Sequence, residues 1–342
     1  MNSTKPTEQL SQMMYAYWVS QSIYVAAKLR IADQLVDGPA SVVNLANAVQ
    51  ANENNLYRLL RGLASVGIFE ELDNRTFQLT PMAEQLRSDV DGSQWALAVM
   101  LGQENYRAWG DLLHTVKTGE LAFDHVFGST IFEHLQENPD SAAVFNQAMM
   151  SSYQRDSDSL VALYDFSQDT TVMDIGGGNG TLLSAVLRRN PNLKGVLFEL
   201  PHVLDRARKN FERNDVADRA QAVSGSFLDE VPGGADTIMM RHVIHNWGRD
   251  EAIKILQNCS AALPSNGKIL ILETIIPTGD DGSFAKLRDL SMMLLVGGEE
   301  RTEAEYRDIL QAAGFGLERV IPTETEGSIL VAAKLDGQPT PA

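Results

Sequence analysis

Two of the six histidines in this 342-residue chain lie three residues apart, in the run Arg241-His242-Val243-Ile244-His245-Asn246-Trp247. The run sets polar groups among large apolar ones. Neutral imidazole is well populated near pH 7, which suits a histidine here to act as general base on a hydroxyl. Either histidine is as readily a hydrogen-bonded structural residue, and the run alone does not choose. Glu273 closes the apolar run Ile269-Leu270-Ile271-Leu272, where a carboxylate would orient an imidazole and stabilise its charged form. Glu300 precedes Arg301-Thr302 at the start of a helix, where a salt-bridged helix-start role competes with a chemical one. No H-E-x-x-H or H-x-E with C-x-x-C pattern occurs, so the sequence suggests no metal site.

A second chemical stretch is Thr171 to Thr181, TVMDIGGGNGT. It reads as a buried strand carrying Asp174 at its end, then a glycine turn, then a helix. Gly176, Gly177 and Gly178 remove side chains where a ligand needs bare backbone, and the helix behind offers free N–H groups. A dinucleotide fingerprint counted from Gly176 and Gly178 needs a third glycine at 181, where Thr181 stands, so this is a poor NAD site. Asp174, and Glu199 at the end of the next strand beside Leu200, suit a ligand with an amine and a ribose but no pyrophosphate. S-adenosylmethionine fits that description; the competing reading is a tight turn with no ligand. Glu199 is placed to accept both ribose hydroxyls. Phe227 stacks on an adenine or fills core. Methyl transfer from a sulfonium needs little beyond a deprotonated oxygen about 3 Å from the methyl carbon. A phenol, with a pKa of about 10, is within reach of a histidine base.

These residues need a scaffold that brings strand ends together. Strands read at 171–175, 195–199, 220–224, 236–241 and 267–274, with helices at about 181–190, 202–214, 249–263 and 302–313. That alternation predicts a doubly wound parallel α/β sheet, Rossmann-like, over about 166–336. Two last strands, 316–321 and 328–334, have no helix between them and should add an antiparallel pair at one edge. Ligands in such sheets sit beyond the carboxyl ends of the strands, where strand order reverses. The groups found there are Asp174, Glu199, Gly225-Ser226-Phe227, Arg241-His242 and Glu273-Thr274. The tail DGQPTPA reads as disordered.

The first part of the chain differs. Apolar residues recur at helical spacing from Leu10 to Leu35 and cover more than one side, so this helix must bury itself on its own domain or on a second subunit. Helices at 42–49 (capped by Ser41) and 53–66 (capped by Asn52) follow, then a hairpin of 68–72 and 76–80. Three helices and a hairpin form a winged-helix pattern. Its third helix offers only Arg58 and Arg61 in an acidic chain, which favours association over DNA binding. Residues 1–95 are therefore read as a dimerisation domain, and 96–342 as a helical connector followed by the catalytic domain. The connector is rich in aromatics, Tyr153 among them, and in methionines; Met149 is the first candidate for a pocket wall.

The formal net charge of −17 argues against nucleic acid and against an anionic membrane surface. The single cysteine, Cys259, excludes an intrachain disulfide and reads as a buried structural thiol. The N-terminus lacks signal-peptide organisation and no apolar run approaches the roughly 20 residues of a membrane span, so a cytoplasmic location is expected.

In order along the chain, DIGGGNGTLL, LFELPHVLDRA, GSFLDEVPGGAD, RHVIHNW, ILILETIIP, DLSMMLL and GGEERTEAEYRDILQAAGF resemble the small-molecule O-methyltransferases. That family includes plant caffeate-type enzymes and bacterial polyketide and antibiotic tailoring enzymes, and the resemblance spans roughly residues 15 to 335. It implies a class I methyltransferase domain, S-adenosylmethionine as donor, a small aromatic or enolic substrate, a homodimer built through the N-terminal domain, and no metal. By motif position it implies His245 as general base, with Glu273 and Glu300 flanking it. Gly176, Glu199, Phe227 and Arg241 correspond to donor-binding positions, and Met149 and Met292 to the pocket wall. Ser226 and Asn246 stand where the family usually has aspartate, which bears on the adenine contact and on the surroundings of the base. Donor-assisted chemistry without methylation, such as decarboxylation, hydroxylation or cyclisation, is the alternative activity.

Overall fold

The computed structural model describes residues 5–279, 283–323 and 327–335, without the side chains of 151–156, 158 and 159. The DGQPTPA tail and the Tyr153 side chain lie outside the described residues. The chain forms two compact units, residues 1–111 with 132–152, and residues 112–131 with the remainder from 153.

The first unit opens on a helix, Pro6–Lys28. The apolar pattern runs on to Leu35, but the helix does not: Arg30 takes the left-handed conformation (φ 55°), and Ile31 N–H bonds back to the Ala26 carbonyl at 3.0 Å. Leu29, Ile31 and Leu35 keep the apolar spacing because they pack on the same core from a separate turn. Along the helix itself only Ala26 and Ala27 are buried, whereas Met13 (73%), Met14 and Trp18 are exposed. Ser41 Oγ accepts from Asn44 N–H and caps Val42–Ala48; Asn52 does the same for Glu53–Ala64 through Asn55 N–H. Phe69–Leu72 and Thr76–Leu79 form the expected hairpin, and the two-residue strand Ala40–Ser41 adds a third strand. Leu45, Leu60, Leu63, Phe69 and Phe77 fill the space between them.

The second unit is organised by one sheet: β1 (Thr171–Ile175), β2 (Lys194–Glu199), β3 (Ala220–Ser224), β4 (Thr237–Arg241), β5 (Lys268–Thr274), β6 (Phe315–Pro322) and β7 (Gly327–Lys334). Its spatial order is β3-β2-β1-β4-β5-β7-β6. The first five strands are parallel; β7 runs antiparallel to both β5 and β6, so the last pair closes the sheet as the sequence predicts. Val172, Met239, Leu270 and Val331 pack on one face with Leu183, Leu187 and Phe211. Met173, Ile238, Ile269 and Leu330 pack on the other with Ile255, Leu256 and Ile309. Burial on both faces is why these strands read as unbroken apolar runs rather than alternating ones. Cys259 lies in the second cluster, where burial pushes its thiol up to about 12, as befits a structural residue.

Helices Thr181–Arg189, Leu204–Arg213, Arg249–Ala262 and Glu303–Ala312 match the periodicity within one or two residues. A further helix, Ala285–Leu295, stands where the periodicity marks none. Strand order reverses at β1, with β2 on one side and β4 on the other, so the crevice for a ligand opens beyond the carboxyl ends of β1 and β4.

Candidate active site

At the end of β1 the chain turns through Gly176, Gly177 and Gly178. Gly176 has φ 66°, and a Cβ there would stand 2.9 Å from Val243 Cγ2 and 3.6 Å from Phe227 Cε1. A Cβ on Gly177 would collide with the Asp174 carboxylate beneath it. On Gly178, by contrast, a Cβ would meet nothing within 4 Å, so this glycine faces open space. Its N–H donates to Glu199 Oε2 at 3.2 Å, while Leu200 N–H donates to Glu199 Oε1 at 2.7 Å. Glu199 is thus held by backbone from both sides, half-exposed, with lone pairs to spare for hydroxyls.

Asp174 is wholly buried, and neither carboxylate oxygen has a hydrogen-bond partner among the described residues. Burial, and next the Glu199 charge, push it up to about 8. Arg241, at the end of β4, donates to Ser157 Oγ at 3.3 Å. Gly225 N–H bonds to the Glu199 carbonyl at 3.1 Å, and a side chain on Gly225 would strike the Phe198 ring. The Ser226 carbonyl closes the following turn by accepting from Asp229 and Glu230 N–H. Phe227 is half-buried and meets Trp247 edge-on, with centroids 6.0 Å apart.

Beyond β4 the backbone at His242 is left-handed (φ 53°), which bends the chain into a short turn, Ile244–Asn246. The bend aims Val243 N–H and His245 N–H at one oxygen, Glu273 Oε1, at 3.0 and 3.3 Å. The other oxygen, Oε2, lies 3.4 Å from His242 Nδ1 and 3.6 Å from His245 Nδ1. His245 Nδ1 is closest to Glu300 Oε1, at 3.0 Å. Burial disfavours a charged imidazole at His245, but Glu273 and then Glu300 outweigh it and the net displacement is upward. Burial equally opposes ionisation of Glu273, yet the two imidazoles and the N–H groups on it hold it down at about 2. His242 moves downward, mainly by burial.

Glu300 is therefore not a helix-start residue. Thr302 and Glu305 form the capping box of Glu303–Ala312, which leaves Glu300 to point inward. Its own N–H is held by Asp289 Oδ1 at 2.9 Å. Arg301, 2% exposed, donates to the carbonyls of Ile244 (3.2 Å) and Trp247 (2.8 Å) and so braces the histidine turn from behind. Asn246 Nδ2 donates to the His242 carbonyl at 3.0 Å, a bond that an aspartate at this position could not make. Met292 is half-buried on Ala285–Leu295, and Met149 packs in the first unit against the Trp95, Ala96 and Val99 cluster.

The sequence matches the O-methyltransferase domain over residues 109–316 and the O-methyltransferase dimerisation domain over 11–89. It is 44% identical to a phenazine O-methyltransferase of Lysobacter antibioticus, over 94% of this chain and 95% of that one. The chain belongs to the O-methyltransferase family. Among solved structures, the enzyme superposes on LaPhzM with a TM-score of 0.92 at 42% identity, covering 97% of this chain and 100% of that one. It superposes on NcsB1 of neocarzinostatin biosynthesis, solved with S-adenosylmethionine and 2-hydroxy-5-methyl naphthoic acid, with a TM-score of 0.83 at 31% identity, covering 92% and 96%. The methyltransferase uses S-adenosylmethionine, and the chain's own residues fit that donor. An unpaired buried acid beside Glu199 suits a cationic ligand, and the turn at Gly178 is open to one. The enzyme is a homodimer through its dimerisation domain, which includes the exposed apolar face of Pro6–Lys28.

Three residues of the site have no role assigned by the sequence. Arg288, Asp289 and Arg301 all touch the Glu300 segment or the histidine turn. For Arg288 and Asp289 the available hint was the DLSMMLL motif, which follows Arg288 directly but does not say where the side chains go.

Proposed function

We propose that this enzyme methylates a phenolic or enolic hydroxyl on a small aromatic secondary metabolite, with His245 as general base. The observation that carries the reading is the 3.0 Å contact between His245 Nδ1 and the buried Glu300 carboxylate. An ionised carboxylate only accepts, so Nδ1 bears the proton and Nε2 keeps its lone pair for the acceptor hydroxyl. When bound, S-adenosylmethionine supplies an electrophilic methyl group. The chain's residues do the rest. Glu199, held by Gly178 and Leu200 N–H, takes the ribose hydroxyls. Gly176, Gly178, Gly225, Ser226, Phe227 and Arg241 complete the donor bed, and Asp174 lies beneath it as a counter-charge. Asn246 and Met292 wall the acceptor pocket. Residues 1–95 serve as the dimerisation domain and 96–342 as connector and catalytic domain.

The phenazine and naphthoate named for its relatives make fused-ring phenols the first acceptors to try. A cytoplasmic location goes with this reading; among the described residues no helix is long and apolar enough to cross a membrane. The test is incubation with methyl-labelled donor and a panel of hydroxyphenazines, hydroxynaphthoates and simple phenols. Label on a hydroxyl oxygen, with S-adenosylhomocysteine formed in equal amount, is the expected result. Substrate turnover without S-adenosylhomocysteine would replace methylation by the alternative, donor-assisted chemistry.

A further inference from the structure

Glu300 Oε1 serves two donors at once. His245 Nδ1 reaches it at 3.0 Å from the turn after β4, and Arg288 Nε reaches it at 2.9 Å from Ala285–Leu295. The Glu300 side chain is fully buried, and Arg288 is the cation that contacts its carboxylate. Arg288 Nη2 is itself buried and has no hydrogen-bond partner among the described residues, so the link from this guanidinium to the site runs through the Nε contact.

The groups around His245 come from every side. His242 faces it from its own turn, with ring centroids 5.1 Å apart, and Glu273 from β5. Glu300 and Arg301 come from the segment before Glu303–Ala312, Tyr306 from within that helix, and Arg288 and Asp289 from Ala285–Leu295. Arg301 spends its guanidinium on the Ile244, Glu299 and Trp247 carbonyls and the Glu299 carboxylate. That leaves Arg288 as the cation set directly against one of the two carboxylates that face the imidazole. Two buried carboxylates facing one imidazole favour its doubly protonated form, which has no lone pair and cannot act as a base.

We infer that Arg288 is a positioning residue for methyl transfer: it takes up the charge of Glu300, so that Glu300 aims the His245 Nδ1–H without fixing a second proton on Nε2. This rests on the reading of His245 as the base. Glu273 contributes differently, because its Oε1 is occupied with the Val243 and His245 backbone N–H groups. Glu300 orients the ring and Arg288 sets how strongly that orientation favours the imidazolium. The direction of the Arg288 effect on His245, downward, agrees with the geometry.

The experiment is the pH profile of kcat/KM for the full-length enzyme, for Arg288→Met, Arg288→Lys and the double variant Arg288→Met/Glu300→Gln, together with His245→Gln. In Arg288→Met the acid limb should move up by about one pH unit, the lower end of what one neighbouring charge does. Turnover near pH 7 then falls up to roughly tenfold and recovers toward the parent rate by about pH 9. Arg288→Lys should keep most of the parent profile, because it keeps the charge. In the double variant the limb should return to the parent position or below it. A loss of rate that is equal at every pH, with the limb unmoved, overturns the inference and leaves Arg288 a packing role. Should Arg288→Met fail to fold, the titration of the ¹³C-labelled His245 ring in Arg288→Gln, which also removes the charge, decides: a midpoint raised above the parent supports the inference, and an unmoved midpoint overturns it. The two readings fail separately: an acid limb that survives in His245→Gln removes His245 as base, whereas a limb that vanishes there but stays put in Arg288→Met removes only the role of Arg288.

Discussion

The two ends of the crevice are built from different materials. The turn after β1 is mostly backbone: three successive glycines, N–H groups, and one carboxylate held by two of them. The bed around His245 is mostly side-chain charge, with Glu273, Glu300, Arg288 and Arg301 drawn from three further segments of the chain. The difference separates two kinds of fragility. The donor end should be most sensitive to volume added at its glycines, whereas the base end should be most sensitive to changes of side-chain charge.

The sharpest break of that comparison is His245→Ala. It should lower kcat by about 10²–10⁴, the range for loss of a general base, while donor affinity measured calorimetrically stays near the parent value. Unchanged turnover would take His245 out of the chemistry. Next in size is Gly176→Val, which sets a branched side chain at φ 66° against Val243. Backbone strain of about 1–3 kcal/mol corresponds to roughly 5- to 150-fold weaker donor binding, with kcat at saturating donor little altered. A variant that binds the donor normally would show that the turn is not the donor's bed.

Glu300→Gln keeps the shape of the side chain and removes its charge. Loss of a charged hydrogen bond, worth about 1.5–3 kcal/mol, should lower kcat by about 10- to 100-fold. The sign of the pH effect follows from the upward displacement of His245, to which Glu300 contributes after Glu273. Without that charge the imidazole loses its proton at lower pH, so the acid limb moves down. Asp174→Asn is read on the stability of the free protein rather than on turnover. Asp174 is held at about 8, above the ordinary 3.8, so folding favours its protonated form. The resulting destabilisation is absent below about pH 4, grows as pH rises, and is complete above about pH 8. Asparagine lacks it, so the variant should melt higher than the parent at pH 8 and equally at pH 4, while binding the cationic donor less tightly. Equal melting at both values would mean that the acid is solvated or paired in the free enzyme.

Much of this scaffold could be read along the chain. The seven strands fall within one or two residues of their expected bounds; the central ones are plainest, because a strand buried on both faces leaves an unbroken apolar signature, whereas the edge strands Ala220–Ser224 and Phe315–Pro322 are only partly covered. The first helix was harder. Apolar spacing continues to Leu35, but spacing reports only which residues face the core, and a left-handed residue at Arg30 lets two elements share one face. The helix Ala285–Leu295 leaves little mark in the sequence for a related reason: several of its apolar residues lie half-exposed or exposed, so its periodicity is weak.

By itself the sequence determined the local facts: where strands end, that the turn after Asp174 carries no side chains, and that two histidines and several acids cluster at strand ends. Those follow from steric and hydrophobic preferences acting over a few residues. Only the tertiary structure decided that β4 lies beside β1, which brings the histidine turn next to the glycine turn. It alone decided that Glu300, 55 residues from His245, shares one oxygen between that ring and Arg288. Strand pairing and buried charge networks are set by contacts between distant segments, and a contact at 3 Å depends on how whole elements pack rather than on the spacing of any one of them.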